Sequence, residues 1–185
     1  MKRRGVVAVV VLLVALLLTP AAPAAAGPYC GIRWGSLAKG TTAGSMTGDV
    51  GNVRTGRHTC YDRLVVDVVG PFAGYTVSYV DTVTGVDGRA VAVRGGARLQ
   101  IDARAWTQTD AAWVPYFVSG FGGTVEDLRD VSRYRTFRQV AWAGTADGLS
   151  RIGLGVRARL PFRAFLLQGP GEGSSRLVVD VAHRW

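Results

Sequence analysis

Apolar and polar positions alternate most cleanly in Val53–Val69. Within it, Leu64, Val66 and Val68 fall on one face, and Arg63, Val65 and Asp67 on the other. A period of two is the signature of a β-strand with one buried face. The core of this stretch returns near the C-terminus: Arg63-Leu64-Val65-Val66-Asp67-Val68 is repeated residue for residue as Arg176-Leu177-Val178-Val179-Asp180-Val181. Both copies read as central strands of one β core. Asp67 and Asp180, equivalent in the repeat, read either as solvent-facing charges or as cross-strand partners of Arg63 and Arg176.

Further strands follow at short intervals: Tyr75–Val80, Ala90–Arg94, Arg98–Asp102, Arg135–Trp142, Leu149–Val156 and Arg163–Gln168. Gly70-Pro71, Asp87-Gly88, Gly95-Gly96, Ala146-Asp147-Gly148 and Gly169-Pro170-Gly171 supply turns between them. Two stretches break the pattern. Gly40–Asn52 is small, polar and Gly-rich and reads as a flexible loop. Ala105–Gly123 is aromatic and aperiodic, and Thr124–Ser132 reads as a short helix capped by Thr124. The predicted fold is all-β: an antiparallel β-sandwich of about seven to eight strands with two similar halves, a barrel being the alternative.

The first 26 residues stand outside that fold. Lys2, Arg3 and Arg4 precede the apolar run Val6–Leu18, and Ala24-Ala25-Ala26 offers small residues for cleavage. The run is shorter than the roughly 20 residues of a membrane span. Residues 1–26 are therefore expected to be a signal peptide, with an exported chain beginning at Gly27. Tyr29 directly before Cys30 does not fit the small-residue pattern of a lipid-anchor signal. Export changes the reading of the two cysteines. Cys30 and Cys60 are expected to form a disulfide that tethers residues 27–52 to a domain at 53–185. Two cysteines and two distant histidines make a poor zinc site, so no metal is expected.

Three of the 22 basic residues belong to the leader, and against 13 acids the remainder carries a net charge of about +6. The arginines are scattered, with no basic arm of the kind that binds nucleic acid. They fit either attraction to anionic envelope polymers or headgroups, or ordinary solvated strand faces. No nucleophile elbow, phosphate-binding loop, dinucleotide fingerprint or metal cluster appears, and a triad built from His58 and Asp62 lacks a recognisable nucleophile. No catalytic residue and no cofactor are expected.

Two groups remain as binding candidates. Arg57, His58, Tyr61, Asp62 and Arg63 form the densest polar cluster, where the arginines could grip carboxylate or phosphate and Tyr61 and His58 stack on a sugar. The same residues could instead close the end of the sandwich. Trp106, Trp113, Tyr116 and Phe117 form either a stacking platform for a glycan or a lid on the core.

Several spaced segments together resemble one family. They are Val53–His58, Tyr61–Asp67 and Gly74–Asp81, followed by Phe137–Val140, Gly153–Val156, Pro161–Phe165 and Arg176–Val181. Taken together over Val53–Val181 they resemble the AMIN-like domain. AMIN domains proper are β-sandwiches on exported envelope proteins, non-catalytic modules that localise a partner and can bind peptidoglycan. The resemblance implies a secreted, cell-wall-associated binding module for peptidoglycan or another anionic wall polymer, with docking onto an exported protein partner as the alternative. No amidase or other catalytic domain is expected after Trp185, a departure from the attached-module arrangement.

Overall fold

A computed structural model describes residues 28–42, 48–109, 114–119, 122–171 and 173–185. The leader segment and Trp113 lie outside the described residues. Eleven strands are present among those described: β1 Lys39–Thr42, β2 Asp49–Arg57, β3 Tyr61–Val69, β4 Gly74–Val80, β5 Val83–Thr84, β6 Ala90–Val91, β7 Ala97–Ala103, β8 Phe137–Ala146, β9 Leu149–Val156, β10 Phe162–Gln168 and β11 Ser174–Ala182. One helical turn, α1, spans Tyr116–Ser119. Eight strands have seven residues or more, the number the alternation implies.

They form a five-stranded sheet of order β1-β4-β7-β9-β8 and a four-stranded sheet of order β10-β11-β3-β2, with β5-β6 as a small hairpin. The pairings are antiparallel throughout. Each half of the chain contributes one long hairpin to each sheet. The first half supplies β2-β3 and then β4-β7; the second supplies β8-β9 and then β10-β11, visiting the sheets in the opposite order.

The two RLVVDV copies meet at the seam between the halves. β3 and β11 are neighbours, with Val65 opposite Val178, Arg63 opposite Asp180 and Arg176 opposite Asp67. A segment with Arg and Asp four positions apart is complementary to its own copy run antiparallel, because each Arg then faces an Asp. Leu64, Val66 and Val68 point into the sandwich with Leu177, Val179 and Val181, against Leu99, Ile101, Ile152 and Leu154 of the other sheet. Burying an aliphatic side chain contributes about 1.5–3 kcal/mol, so this seam is a main source of core stability.

Three expectations change. Residues 40–42 and 49–52 of the Gly-rich stretch are strand, not loop; residues 43–47 lie outside the described residues. Gly40 runs so close to β4 that an added Cβ would sit 2.8 Å from the Tyr75 carbonyl oxygen, which explains a glycine in a paired strand. Thr124–Ser132 is not helical. Thr124 does accept a bond from the Asp127 N–H at 3.0 Å, the cap-like contact its sequence suggested. The segment is extended along the edge of β8 instead: Leu128 N–H donates to Val140 O at 2.8 Å, and Trp142 N–H to Val125 O at 2.7 Å. Covering an open sheet edge satisfies more backbone than one isolated helical turn would. Finally, Ala90–Arg94 shortens to the two residues of β6. At the β8-β9 turn, Asp147 and Gly148 both have positive φ (49° and 72°), as a tight two-residue hairpin requires.

Candidate functional site

The end of β2, the starts of β3, β8 and β10, and the ends of β9 and β11 all converge at one end of the sandwich. Its hub is Asp62, only 1% exposed. Asp62 accepts the Thr136 N–H at 2.6 Å and faces His183 Nε2 at 3.2 Å. His183 Nδ1 lies 3.2 Å from Thr59 O, and its backbone N–H donates to Cys60 O at 2.9 Å. Arg157 donates from Nη2 to the His183 carbonyl. One carboxylate therefore joins three chain segments, its own, that of Thr136 and that of His183, and its partner is His183 rather than the nearer-in-sequence His58.

A second buried acid lies on the outer face of the four-stranded sheet. Asp180, with no exposure, accepts from Arg63 Nε at 2.6 Å, Arg63 Nη2 at 2.9 Å and Arg163 Nε at 2.8 Å. The Asp180 carboxylate holds the Arg63 guanidinium above its already high ordinary pKa. The other half of the repeat behaves differently: Asp67 is taken by Arg54 of β2, at 2.6 and 2.7 Å, instead of by Arg176.

Aromatic rings surround the arginine pair. The Arg163 guanidinium sits 5.5 Å from the Trp34 ring, 5.4 Å from Tyr61 and 5.0 Å from Phe165. Tyr61 is stacked by His58 at 4.5 Å and also meets Arg63 at 5.2 Å, so its ring is already engaged. His58 and Arg57 are exposed and form the outermost layer. Of the sequence candidates, Arg57, His58, Tyr61 and Arg63 are thus brought together. Trp34, Phe165, Arg163 and His183 join them, and none was assigned there from sequence. Arg163 belongs with Asp180 only through the register of β10 on β11.

Trp106 and Tyr116 are elsewhere. The Trp106 backbone pairs with Gly48 and Val50 at the start of β2, with N···O distances of 2.9 and 2.7 Å, whereas Arg57 is at its end. Eight residues of strand separate the two by about 26 Å. Trp106 is 46% and Tyr116 74% exposed, while Phe117 is buried and meets Trp142 edge-on at 6.1 Å. The aromatic segment therefore divides, with Phe117 in the core and Trp106 and Tyr116 outside it.

Charge is distributed unevenly between these ends. Arg33, Arg57, Arg133, Arg135, Arg157, Arg159 and Arg184 are exposed at the Asp62 end, where the exposed acids are Asp81 and Asp130. The Ser132 N–H holds the Asp130 carboxyl below its usual value, so it stays ionised. Tyr79 closes the same end: its hydroxyl donates to Leu160 O at 2.6 Å and accepts from Leu160 N–H at 3.0 Å. Burial pushes its pKa up to about 12. Cys30 and Cys60 form the expected disulfide, with a Cα–Cα distance of 6.4 Å. A surface groove of about 580 Å³ lies beside β8; there Arg94 is paired with Asp127 at 2.6 Å. Among the described residues no cluster of His, Cys, Asp and Glu could hold a metal ion, and no helix is long and apolar enough to cross a membrane.

The family description AMIN-like domain matches residues 48–183, from just before β2 to His183 of the hub. The chain belongs to the AMIN-like domain family. No curated protein and no solved structure matches it. AMIN-like domains are envelope-associated and non-catalytic, in keeping with the disulfide. The match takes in both RLVVDV strands and both buried acids of this AMIN-like chain, and leaves out residues 28–42.

Proposed function

We propose that this AMIN-like chain is an exported, non-catalytic module that holds an anionic cell-wall polymer, peptidoglycan included, at its basic end. One observation carries the reading. Seven exposed arginines gather where the two nearest strand acids, Asp62 and Asp180, are buried and already paired. Against these seven the same end exposes two acids, Asp81 and Asp130, so its net field toward solvent is positive, which favours a polyanion. Arg57 and His58 make first contact, on a base formed by Tyr61 and Arg63. Trp106 and Tyr116 belong to the far end of β2. They reach only a polymer long enough to run along that strand.

Co-sedimentation of the exported chain with purified sacculi across a salt series tests this. Retention at physiological salt, weakened by Arg57→Ala, is expected; Trp106→Ala reports whether the polymer extends along β2. Retention that vanishes at about 0.15 M salt reduces the interaction to general charge attraction, and none at all removes the wall reading.

A second reading has its own observation. Beyond Val50 the outer backbone of β2, Gly51–Arg57, has no backbone partner among the described residues, and an extended segment of an exported protein could add there. Capture of a specific partner, lost when proline replaces Thr55, would favour it over wall binding.

A further inference from the structure

Residues 28–42 lie outside the family match, yet they are fastened to the basic end at several points. The disulfide joins Cys30 to Cys60. Tyr29 lies under the Arg184 guanidinium at 4.7 Å. Trp34 meets Tyr61 at 5.8 Å and lies beneath Arg163. Its indole N–H donates to Tyr29 O at 2.9 Å, folding the strap on itself. Gly35 O then accepts the Phe162 N–H of β10 at 2.8 Å, and Lys39 begins β1 on the edge of β4. The strap therefore crosses the side of the sandwich from one sheet to the other.

Three exposed arginines come from three separate segments that the disulfide and its neighbours tie together. Arg33 is on the strap; Arg57 is three residues before Cys60; Arg184 follows His183, whose N–H donates to Cys60 O. None of the three makes an ion pair among the described residues. Like charges brought together repel, and one exposed guanidinium holds a single anion only weakly. Three held at one place act on a multiply charged ligand together, and fixing them in advance removes the ordering cost of each contact.

We propose that Arg33, Arg57 and Arg184 form a polyanion site that is complete only while the Cys30–Cys60 bond is closed. Its ligand is a polymer bearing closely spaced phosphate or carboxylate groups. This rests on the wall-binding reading of the basic end and adds the strap and the disulfide to it. Reduction by a dithiol breaks the S–S bond. Two electrons and two protons pass to the sulfurs, two thiols form and the dithiol becomes a disulfide. The strap is then held by ring contacts and backbone bonds alone, and Arg33 leaves the cluster.

The test measures affinity of the full chain for inorganic polyphosphate and for polygalacturonate, which separate the phosphate from the carboxylate source. Arg33→Ala, with its disulfide intact, is expected to weaken binding about fivefold, on the order of one lost charge-assisted contact. Arg104→Ala removes the same charge from the opposite end and is expected to change it less than twofold. Dithiothreitol, or Cys30→Ser with Cys60→Ser, is expected to weaken binding at least as much as Arg33→Ala. Equal losses for Arg33→Ala and Arg104→Ala would overturn the site in favour of overall charge. Unchanged affinity after reduction would overturn the dependence on the disulfide. Retention on sacculi without affinity for either probe overturns the polyanion site and leaves the wall module standing. Affinity for a probe without retention on sacculi does the reverse.

Discussion

The two ends of the sandwich solve the problem of closing an open β core in different ways. At the basic end a buried carboxylate does it: Asp62 accepts the Thr136 N–H and faces His183, while Asp180 is buried under Arg63 and Arg163 on the outer face beside it. At the far end, neutral hydroxyls do it. Ser150 Oγ donates to Ala105 O at 2.8 Å and lies 2.5 Å from Thr107 Oγ1. The surfaces differ in the same sense. Guanidiniums crowd the first, while Val69, Trp106 and Tyr116 are the large exposed groups of the second. A buried ion is costly to desolvate and is tolerated only when fully partnered, so it fixes its neighbours more tightly than a hydroxyl does. The exposed Arg33 and Arg57 stand outside these buried contacts.

The largest test of this contrast is Asp62→Ala. It strands the Thr136 N–H and His183 together and should lower stability by about 3–5 kcal/mol. In urea unfolding, a loss no greater than that of Ser150→Ala, on the order of 1–3 kcal/mol, would remove the distinction between the ends. Next comes the disulfide. Opening its loop should reduce stability by roughly 3–4 kcal/mol. Hydrogen exchange should rise at the strap and the basic end while the far end stays protected; a uniform rise would mean that the bond stabilises only the whole chain.

A smaller effect follows at Tyr79. Its phenol has a folded pKa of about 12, above the unfolded value near 10. The unfolded chain thus releases that proton first, so this contribution is complete below about pH 10 and is lost as pH rises towards 12. Tyr79→Phe should cost about 1–3 kcal/mol at neutral pH, because Leu160 loses both hydrogen bonds, and should flatten the alkaline decline. Phenolate absorbance that shows every tyrosine titrating below pH 11 would contradict this. The smallest change is expected for Arg54→Ala. Its partner Asp67 is a quarter exposed, so the loss should stay below about 1 kcal/mol by thermal unfolding, in contrast to Asp180→Ala.

Alternation alone made the strands legible, because a period of two depends only on neighbouring residues and the side of the sheet they face. The RLVVDV repeat marked β3 and β11 as core strands for the same reason, and glycines beside Asp marked the turns. Two cysteines in a chain read as exported were enough to expect the disulfide. The polar cluster around Arg57 was also visible as a cluster.

What each polar group bonds to was a matter of tertiary structure. Thr124 carried a genuine capping signal, yet β8 offered its segment a better use of backbone hydrogen bonds than a helix. Asp62 is next to His58 in local sequence terms but meets His183, 121 positions away. Arg63 meets Asp180 across 117 positions because β3 and β11 happen to be adjacent and antiparallel. The identical Arg176–Asp67 opposition is diverted by Arg54, since Asp67 is on β3, whose other neighbour is β2, whereas Asp180 is on β11, whose other neighbour is β10. Local pattern is set by the chain's own covalent geometry and hydrophobicity; partners are set by register and strand order, which no short window of sequence contains.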